Sequence, residues 1–421
     1  MELEDLSVSN GRIGGRRDAA QGGAGSAGPQ VERIDVSGCL VVPGNSCAHH
    51  HLYSALARGM PGPLEAPRDF LGILQAVWWR LDRALDSESI GLSALAGAVV
   101  AARAGTTSLI DHHASPNAIE GSLDVLAGAL EQAGLRAVVC YEVTDRHGEE
   151  DGRRGVEENV RFLRSNDRPT MRGMMGAHAS FTIGPGTMDA LVSAARSAGV
   201  PVHIHLAEDA FDQEHSLDTY GVRVTHRLAD AGALGEGDLV AHGVWLSDEE
   251  VATIRSAGAW VAHNPRSNMN NGVGYAPALE MGERVALGTD GIDGDMFEET
   301  RACYLKARER SLDATPADAV RRLATGATVT GSLFGEPALG TLDPGAPADL
   351  TVLEYRSPTP VDDGNLEGHY IFGLGAWAVR DVMVAGRWVI RNRMHQLVDE
   401  TELAARCKEA APHLWARMEA L

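Results

Sequence analysis

The chain has 421 residues, 44% of them hydrophobic, and a formal net charge of −21. So acidic a surface repels phosphate backbones, which argues against nucleic-acid binding. No apolar run reaches membrane-spanning length, and the first residues lack the basic, apolar and small-residue pattern of a secretory signal. A soluble, cytoplasmic protein is expected. Cys39, Cys47, Cys140, Cys303 and Cys407 form no CxxC pair and are odd in number, so free thiols in a reducing compartment are expected.

In chain order, LSVSNGRI and VERIDVSGCLVVPG read as short strands around turns. Between them, GRRDAAQGGAGSAGPQ is Gly/Ala-rich and predicts a loop with too little apolar surface to order itself. From about residue 41 to 300 the pattern changes to short apolar runs: CLVVPG, TTSLIDHH, RAVVCYEV, RGMMGAHA, PVHIHLAE, DLVAHGVW, AWVAHNP and RVALGTDG. Amphipathic segments such as ESIGLSALAGAVVAARAG and GTMDALVSAARSAG separate most of them, with a Gly cap before the next run. Alternating strand and helix units imply a parallel sheet, and eight of them close into a (β/α)8 TIM barrel. Residues 339–395 return to strand-like runs, and 396–421 read as an amphipathic helix. The expected organisation is a barrel over 44–338 with a small β-sandwich domain built from 1–43 and 339–395.

Most of the eight runs end in His, Asp, Glu or Asn. Strand C-termini form the active-site face of such a barrel, so chemistry is expected there. In PGNSCAHHHLYS, His49 and His51 alternate and share a strand face, while His50 points away. In PVHIHLAED, His203 and His205 alternate and Glu208 follows. His242 ends DLVAH, and Asp290 ends the last run in RVALGTDG. Nitrogen and oxygen donors on separate strand ends suit a catalytic zinc-type site with a position left for water.

These motifs resemble the amidohydrolase superfamily. VVPGNSCAHHHLYSALARGM, PVHIHLAED, VAHNPRSNMN and LGTDG are similar to its branch of guanine, cytosine and atrazine-type deaminases and chlorohydrolases. HHHLYSALARGMPGP, SLIDHHASPNAIEGSLDVL, CYEVTDR and HNPRSNMNNGVGYAPALEM resemble the SsnA-type aminohydrolases. The resemblance implies that His49, His51 and His205 ligate a divalent metal ion, with Asp290 binding it or its water. It implies that His242 touches the water or substrate and could complete the coordination, and that Glu208 shuttles protons. It also implies a homodimer or larger homo-oligomer.

Some superfamily members hold two metals bridged by a carboxylated lysine from a middle strand. The only lysines here, Lys306 and Lys408, follow the last barrel motif, so one ion per subunit is expected, Zn2+ or else Fe2+. The sequence departs from the family at Cys47, where the pattern has Asn; a small buried residue or a weak substrate contact is expected there.

The leading activity is hydrolytic deamination of an amino-substituted N-heterocycle, purine- or pyrimidine-like. Opening of a cyclic amide or amidine, hydrolytic dehalogenation, and metal binding without catalysis stay open. His178, Arg58 and Asn268 are candidate substrate contacts, with Tyr53 beside Arg58. His112, His113 and His203 read as packing or orienting groups, and His263, with Asn268 at the seventh strand end facing the pocket mouth, divides between shaping a loop and bonding substrate. Trp78 and Trp79 divide between lining a flat pocket and packing.

Overall fold

The computed structural model describes residues 4–18, 32–63 and 65–421. Eight parallel strand positions form its centre: Asn45–His50, Thr106–His113, Arg136–Tyr141, a fourth strand in two pieces (Met171–Gly173 and Met175–Ala179), Val202–Leu206, Leu239–His242, Trp260–His263 and Val285–Leu287. The first piece of the fourth strand pairs with the third strand and the second piece with the fifth. A bridge from Val143 to Ala177 spans the break. The ring closes between the eighth and first strands through a His50–Asp290 bridge. There Thr289 N–H and Asp290 N–H donate to His49 O, and His51 N–H donates to Asp290 O.

Helices follow the strands as the periodicity predicts, among them Ser87–Arg103, Ser122–Ala133, Pro185–Ala198 and Asp248–Ala257. Three stop at glycines in the left-handed region, Gly134, Gly199 and Gly258, which end a helix without a Cβ penalty.

The first strand corrects the sequence reading. CLVVPG is not the barrel strand: Leu40–Pro43 pairs antiparallel with Leu350–Leu353. The barrel strand is the polar-looking Asn45–His50, whose six residues are all buried. A polar strand survives there because its side chains find partners, as with Ser46 against Ser108 and His50 Nδ1 against Thr289 Oγ1 at 2.7 Å.

The small β unit is a five-stranded antiparallel sheet in the order Met394–His395, Arg387–Arg391, Val379–Val384, Leu350–Leu353, Leu40–Pro43. A hairpin of Glu4–Ser9 and Arg12–Asp18 lies against it, with Ile13 buried among Ala346, Ala348, Leu350 and Val352. The first four residues of the Gly/Ala-rich stretch therefore belong to a strand; residues 19–31 lie outside the described residues. The sheet is tied to the barrel by a buried ion pair, Arg136 Nε to Asp349 Oδ2 at 2.8 Å.

The C-terminal helix Glu400–Glu419 packs on Ser87–Arg103 and on Trp79–Ala84. Trp415 Nε1–H donates to Leu56 O, Arg80 to Met418 O and Arg417 to Ala84 O. No single helix among the described residues is long and apolar enough to cross a membrane.

Candidate active site

The strand ends converge at one mouth of the barrel. His49 is on the first strand and His51 one residue past its end, so both face inward while His50 turns to Thr289. His205 is on the fifth strand and His242 ends the sixth. Asp290 lies three residues past the eighth strand. Donor atoms of His49, His51, His205 and Asp290 all lie within 4.8 Å of one another. Asp290 Oδ1 stands 3.1 Å from His51 Nε2 and 3.7 Å from His49 Nε2. Its Oδ2 is 3.9 Å from His242 Nε2, and Glu208 Oε2 is 3.5 Å from that same nitrogen.

Each imidazole is oriented by its other nitrogen. His51 Nδ1–H donates to His112 O at 2.5 Å and His205 Nδ1–H to His178 O at 2.8 Å. His242 Nδ1–H donates to Asn268 Oδ1 at 2.9 Å. The assignment for His49 follows from a chain behind it. Cys140 Sγ–H donates to Asp111 O, so Cys140 Sγ accepts from His203 Nδ1–H, and His203 Nε2 accepts from His49 Nδ1–H at 3.0 Å. All four Nε2 atoms thus face one small volume, the usual way an outer shell fixes metal-binding histidines.

The donor set fits a divalent cation. His49 Nε2 and His242 Nε2 are buried and have no hydrogen-bond partner among the described residues, a costly state unless a ligand completes them. Burial holds His49 and His205 well below the ordinary imidazole value, so they present lone pairs. For His51 burial acts the same way, but the hydrogen bond and charge of Asp290 outweigh it and raise the imidazole to about 9. The site therefore attracts positive charge.

The two carboxylates diverge. Burial, reinforced by Asp290, pushes Glu208 well above the usual range. Burial would raise Asp290 too, but the His49 and His51 imidazoles beside its carboxylate hold it well below. Ala207, His242 and Asp290 have φ of 47°, 76° and 54°, left-handed values that are strained for side-chain-bearing residues and cluster at functional sites.

The cavity over this centre measures about 760 Å³ including its mouth. His51, His205, Glu208 and Asp290 form its floor. Tyr53, Trp78, Trp79, His178 and Phe181 line its walls. Trp78 closes a π-helical turn, Leu74–Trp78, a distortion frequent at functional sites.

Of the candidate substrate contacts, His178 lines the cavity. Arg58 is exposed and absent from the lining, because it follows the short 3-10 helix Leu52–Ala57 out to the surface. Asn268 is buried behind His242 rather than facing the cavity, because the helix Pro265–Asn271 turns it inward. His203 stands behind His49 and His112 behind His51, and His113 Nε2 pairs with Ser115. His263 is buried outside the lining. Cys47 is small and buried, with its thiol against His49 O and Thr289 Oγ1.

The sequence reading missed Glu142, Asp82 and Asp212, all buried and lining the cavity. Glu142 carries the same signal as the ligands, since it follows an apolar strand run.

Four inward imidazoles and two carboxylates at the strand ends of a closed parallel barrel, with a cavity above them, define a metal-dependent hydrolase. Residues 40–389 match the amidohydrolase family, and the chain belongs to it. It is 33% identical over 430 residues to the 5-methylthioadenosine/S-adenosylhomocysteine deaminase of Halobacterium salinarum, covering 98% of this chain and 96% of that protein. It is 30% identical over 395 residues to the 5'-deoxyadenosine deaminase of Methanosarcina mazei, covering 91% and 89%. The fold is similar to that of an adenosine deaminase from Xanthomonas campestris with bound zinc (TM-score 0.83, 24% identity, 100% and 95% covered). It is also similar to that of atrazine chlorohydrolase from Arthrobacter aurescens complexed with zinc (TM-score 0.82, 22% identity, 98% and 96% covered).

Proposed function

We propose that this chain is a metal-dependent deaminase that releases ammonia from an aminopurine, with one zinc ion per subunit held by His49, His51, His205 and Asp290. The observation that carries the reading is the placement of Glu208, His242 and Asp290 beside the three ligand imidazoles, in a chain whose relatives are named as adenine-nucleoside deaminases. The SsnA-type motifs support the same chemistry without adding a substrate. A single ion is supported by the lysines: Lys306 is on the helix Met296–Arg310 and Lys408 on the C-terminal helix, away from the strands. The five free cysteines support a cytoplasmic setting.

A divalent cation here supplies Lewis acidity that lowers the pKa of water to about 7. The protein's own groups do the proton work. Asp290 is held as a carboxylate and accepts a proton from the attacking water. His242 Nε2, a lone pair because Asn268 fixes the proton on Nδ1, accepts a hydrogen bond from that water. Glu208, buried and 3.5 Å from His242, carries a proton to the ring nitrogen as the adjacent carbon is attacked. An amine leaves poorly unless protonated, so Asp290 passes the water's proton to the amino group, and Glu208 regains a proton from the newly added hydroxyl as the C–N bond breaks and ammonia departs. Two carboxylates with opposed environments divide the acid and base roles. Trp78, Trp79 and Phe181 supply flat apolar walls for a heterocycle.

The test is an ammonia-release screen of zinc-loaded protein across aminopurines and other amino-heterocycles, with Glu208→Gln as control. Replacing the acid should cut kcat/KM by about 10²- to 10⁴-fold with metal content unchanged. No ammonia from any compound, or a fully active Glu208→Gln protein, refutes the reading. Product mass separates ring opening, which adds water and keeps nitrogen.

A further inference from the structure

Glu142 is a buried carboxylate on the cavity wall that the deamination mechanism does not use. It sits just past the third barrel strand, and its donor atoms cluster with those of His51, His112 and His205. Its neighbours give it no matched partner. His112 Nε2–H donates to His203 O at 3.2 Å, so His112 Nδ1 is a lone pair, and that lone pair lies 3.2 Å from Glu142 Oε2. His112 Nδ1 has no hydrogen-bond partner and is fully buried. On the other side, His178 Nδ1–H donates to Thr182 Oγ1 at 2.7 Å, while the Thr182 hydroxyl donates to Ala179 O. His178 Nε2 is then also a lone pair, 3.5 Å from Glu142 Oε1. Acceptors converge here with no donor among them.

Arg146 offsets the charge of Glu142 through a long ion pair but supplies no hydrogen bond. Its Nη2 bonds Asp82 Oδ2 at 2.6 Å and stays 4.0 Å from Glu142, with its guanidinium over the Trp79 ring. No lysine or arginine stands among the residues that line the cavity; of its carboxylates, Asp82 is paired with Arg146, Glu208 is the proton carrier and Asp290 faces the ion site, while Glu142 adds acceptors without a hydrogen-bond donor. Buried acceptors without donors are costly, and such a wall favours a ligand that brings donors and no negative charge.

We infer that Glu142, seconded by His178 Nε2, is a specificity residue that accepts a hydrogen bond from an N–H or O–H donor on the substrate, and that the pocket admits neutral or cationic heterocycles and rejects anionic ones. This rests on the deaminase reading for the position of the ring, since Glu208 and Asp290 fix the reacting carbon on the far side of His51 and His205. The donor is either a sugar hydroxyl of a nucleoside or an N–H on the ring itself; the chemistry at Glu142 is the same.

The experiment compares zinc-loaded wild type with Glu142→Gln on adenosine, 9-ethyladenine (no sugar hydroxyl) and 9-ethyl-2,6-diaminopurine (a second amino donor). It reads kcat and KM separately and also equilibrium binding by calorimetry. Glutamine keeps the volume, and its amide can donate to His112 Nδ1, so the fold should hold; melting and zinc content check this. Exchanging a charged acceptor for the neutral amide oxygen should cost about 10-fold, mainly in KM. A penalty on adenosine that vanishes with 9-ethyladenine assigns the donor to the sugar. A penalty confined to 9-ethyl-2,6-diaminopurine assigns it to the ring. The same penalty on all three compounds, or none on any, overturns the inference. So does adenosine 5'-monophosphate turned over as well as adenosine. Should Glu142→Gln fail the melting check, wild type alone decides: equal binding of all three compounds overturns the inference. Glu142-dependent binding without ammonia release sinks only the deaminase reading; no binding of any compound sinks both.

Discussion

Asn268 makes a sharp claim about how His242 is kept ready. Its Oδ1 is the acceptor for His242 Nδ1–H at 2.9 Å, and its own Nδ2 is buried with no partner. Asn268→Leu leaves a buried N–H without an acceptor, which costs about 1–3 kcal/mol. The imidazole escapes that cost by moving its proton to Nε2, the nitrogen that faces Glu208 and Asp290. The site then meets a donor where it needs a lone pair. At RT of about 0.6 kcal/mol, the loss in kcat/KM should be about 5- to 150-fold. Asn268→Asp is the decisive companion. The carboxylate keeps the acceptor, and the amide nitrogen it gives up had no partner, so activity should stay close to wild type. Steady-state kinetics on both variants, with metal content measured on each, read the difference. If Asn268→Leu keeps full activity, or Asn268→Asp falls as far as Asn268→Leu, then Asn268 does not set the proton on His242 and the substrate-contact expectation returns.

Three further outcomes follow from other parts of the molecule. Gly288→Ala places a Cβ 2.4 Å from Asn264 Oδ1 and 2.7 Å from His49 Cβ; it should release the first ligand and the metal, and a zinc-replete, active variant contradicts this. Asp349→Ala strands the Arg136 guanidinium, which is 6% exposed, at a cost of about 3–5 kcal/mol. With about 2 cal/mol/K of unfolding entropy per residue, a chain of 421 residues should melt about 4–6 °C lower, and an unchanged melting temperature refutes the argument. Cys47, whose thiol burial pushes up to about 11, should resist alkylation of the native protein at mildly alkaline pH. Partly exposed Cys39 and Cys407 should react first, and labelling of Cys47 ahead of them, read by peptide mass spectrometry, tells against its burial.

Much of the site is written in local periodicity. His49 and His51 announce themselves by alternation, and His205, His242 and Asp290 by ending apolar runs, because a parallel barrel collects its strand ends at one face. Long-range partnership is not written locally. Nothing near CLVVPG reveals that its partner is Leu350–Leu353, so an apolar run outcompetes the polar NSCAHH as a barrel strand. Asn268 looks like a pocket residue until the fold puts His242 beside it. Arg58 looks available for substrate until Leu52–Ala57 carries it to solvent. Glu142 escapes notice because a lone glutamate after a strand is common, and its isolation among acceptors exists only once His112 and His178 are in place.

The C-terminal helix braces the aromatic side of the cavity, and Arg80 meets Met418 across 338 residues of chain. During synthesis, His49, His51, His205, His242 and Asp290 all leave the ribosome before that brace exists. Chain order therefore places every residue of the candidate ion-binding floor before the segment that supports the Trp78–Trp79 wall, so shortening the chain from its end would strip the wall's brace and leave the floor's residues in place.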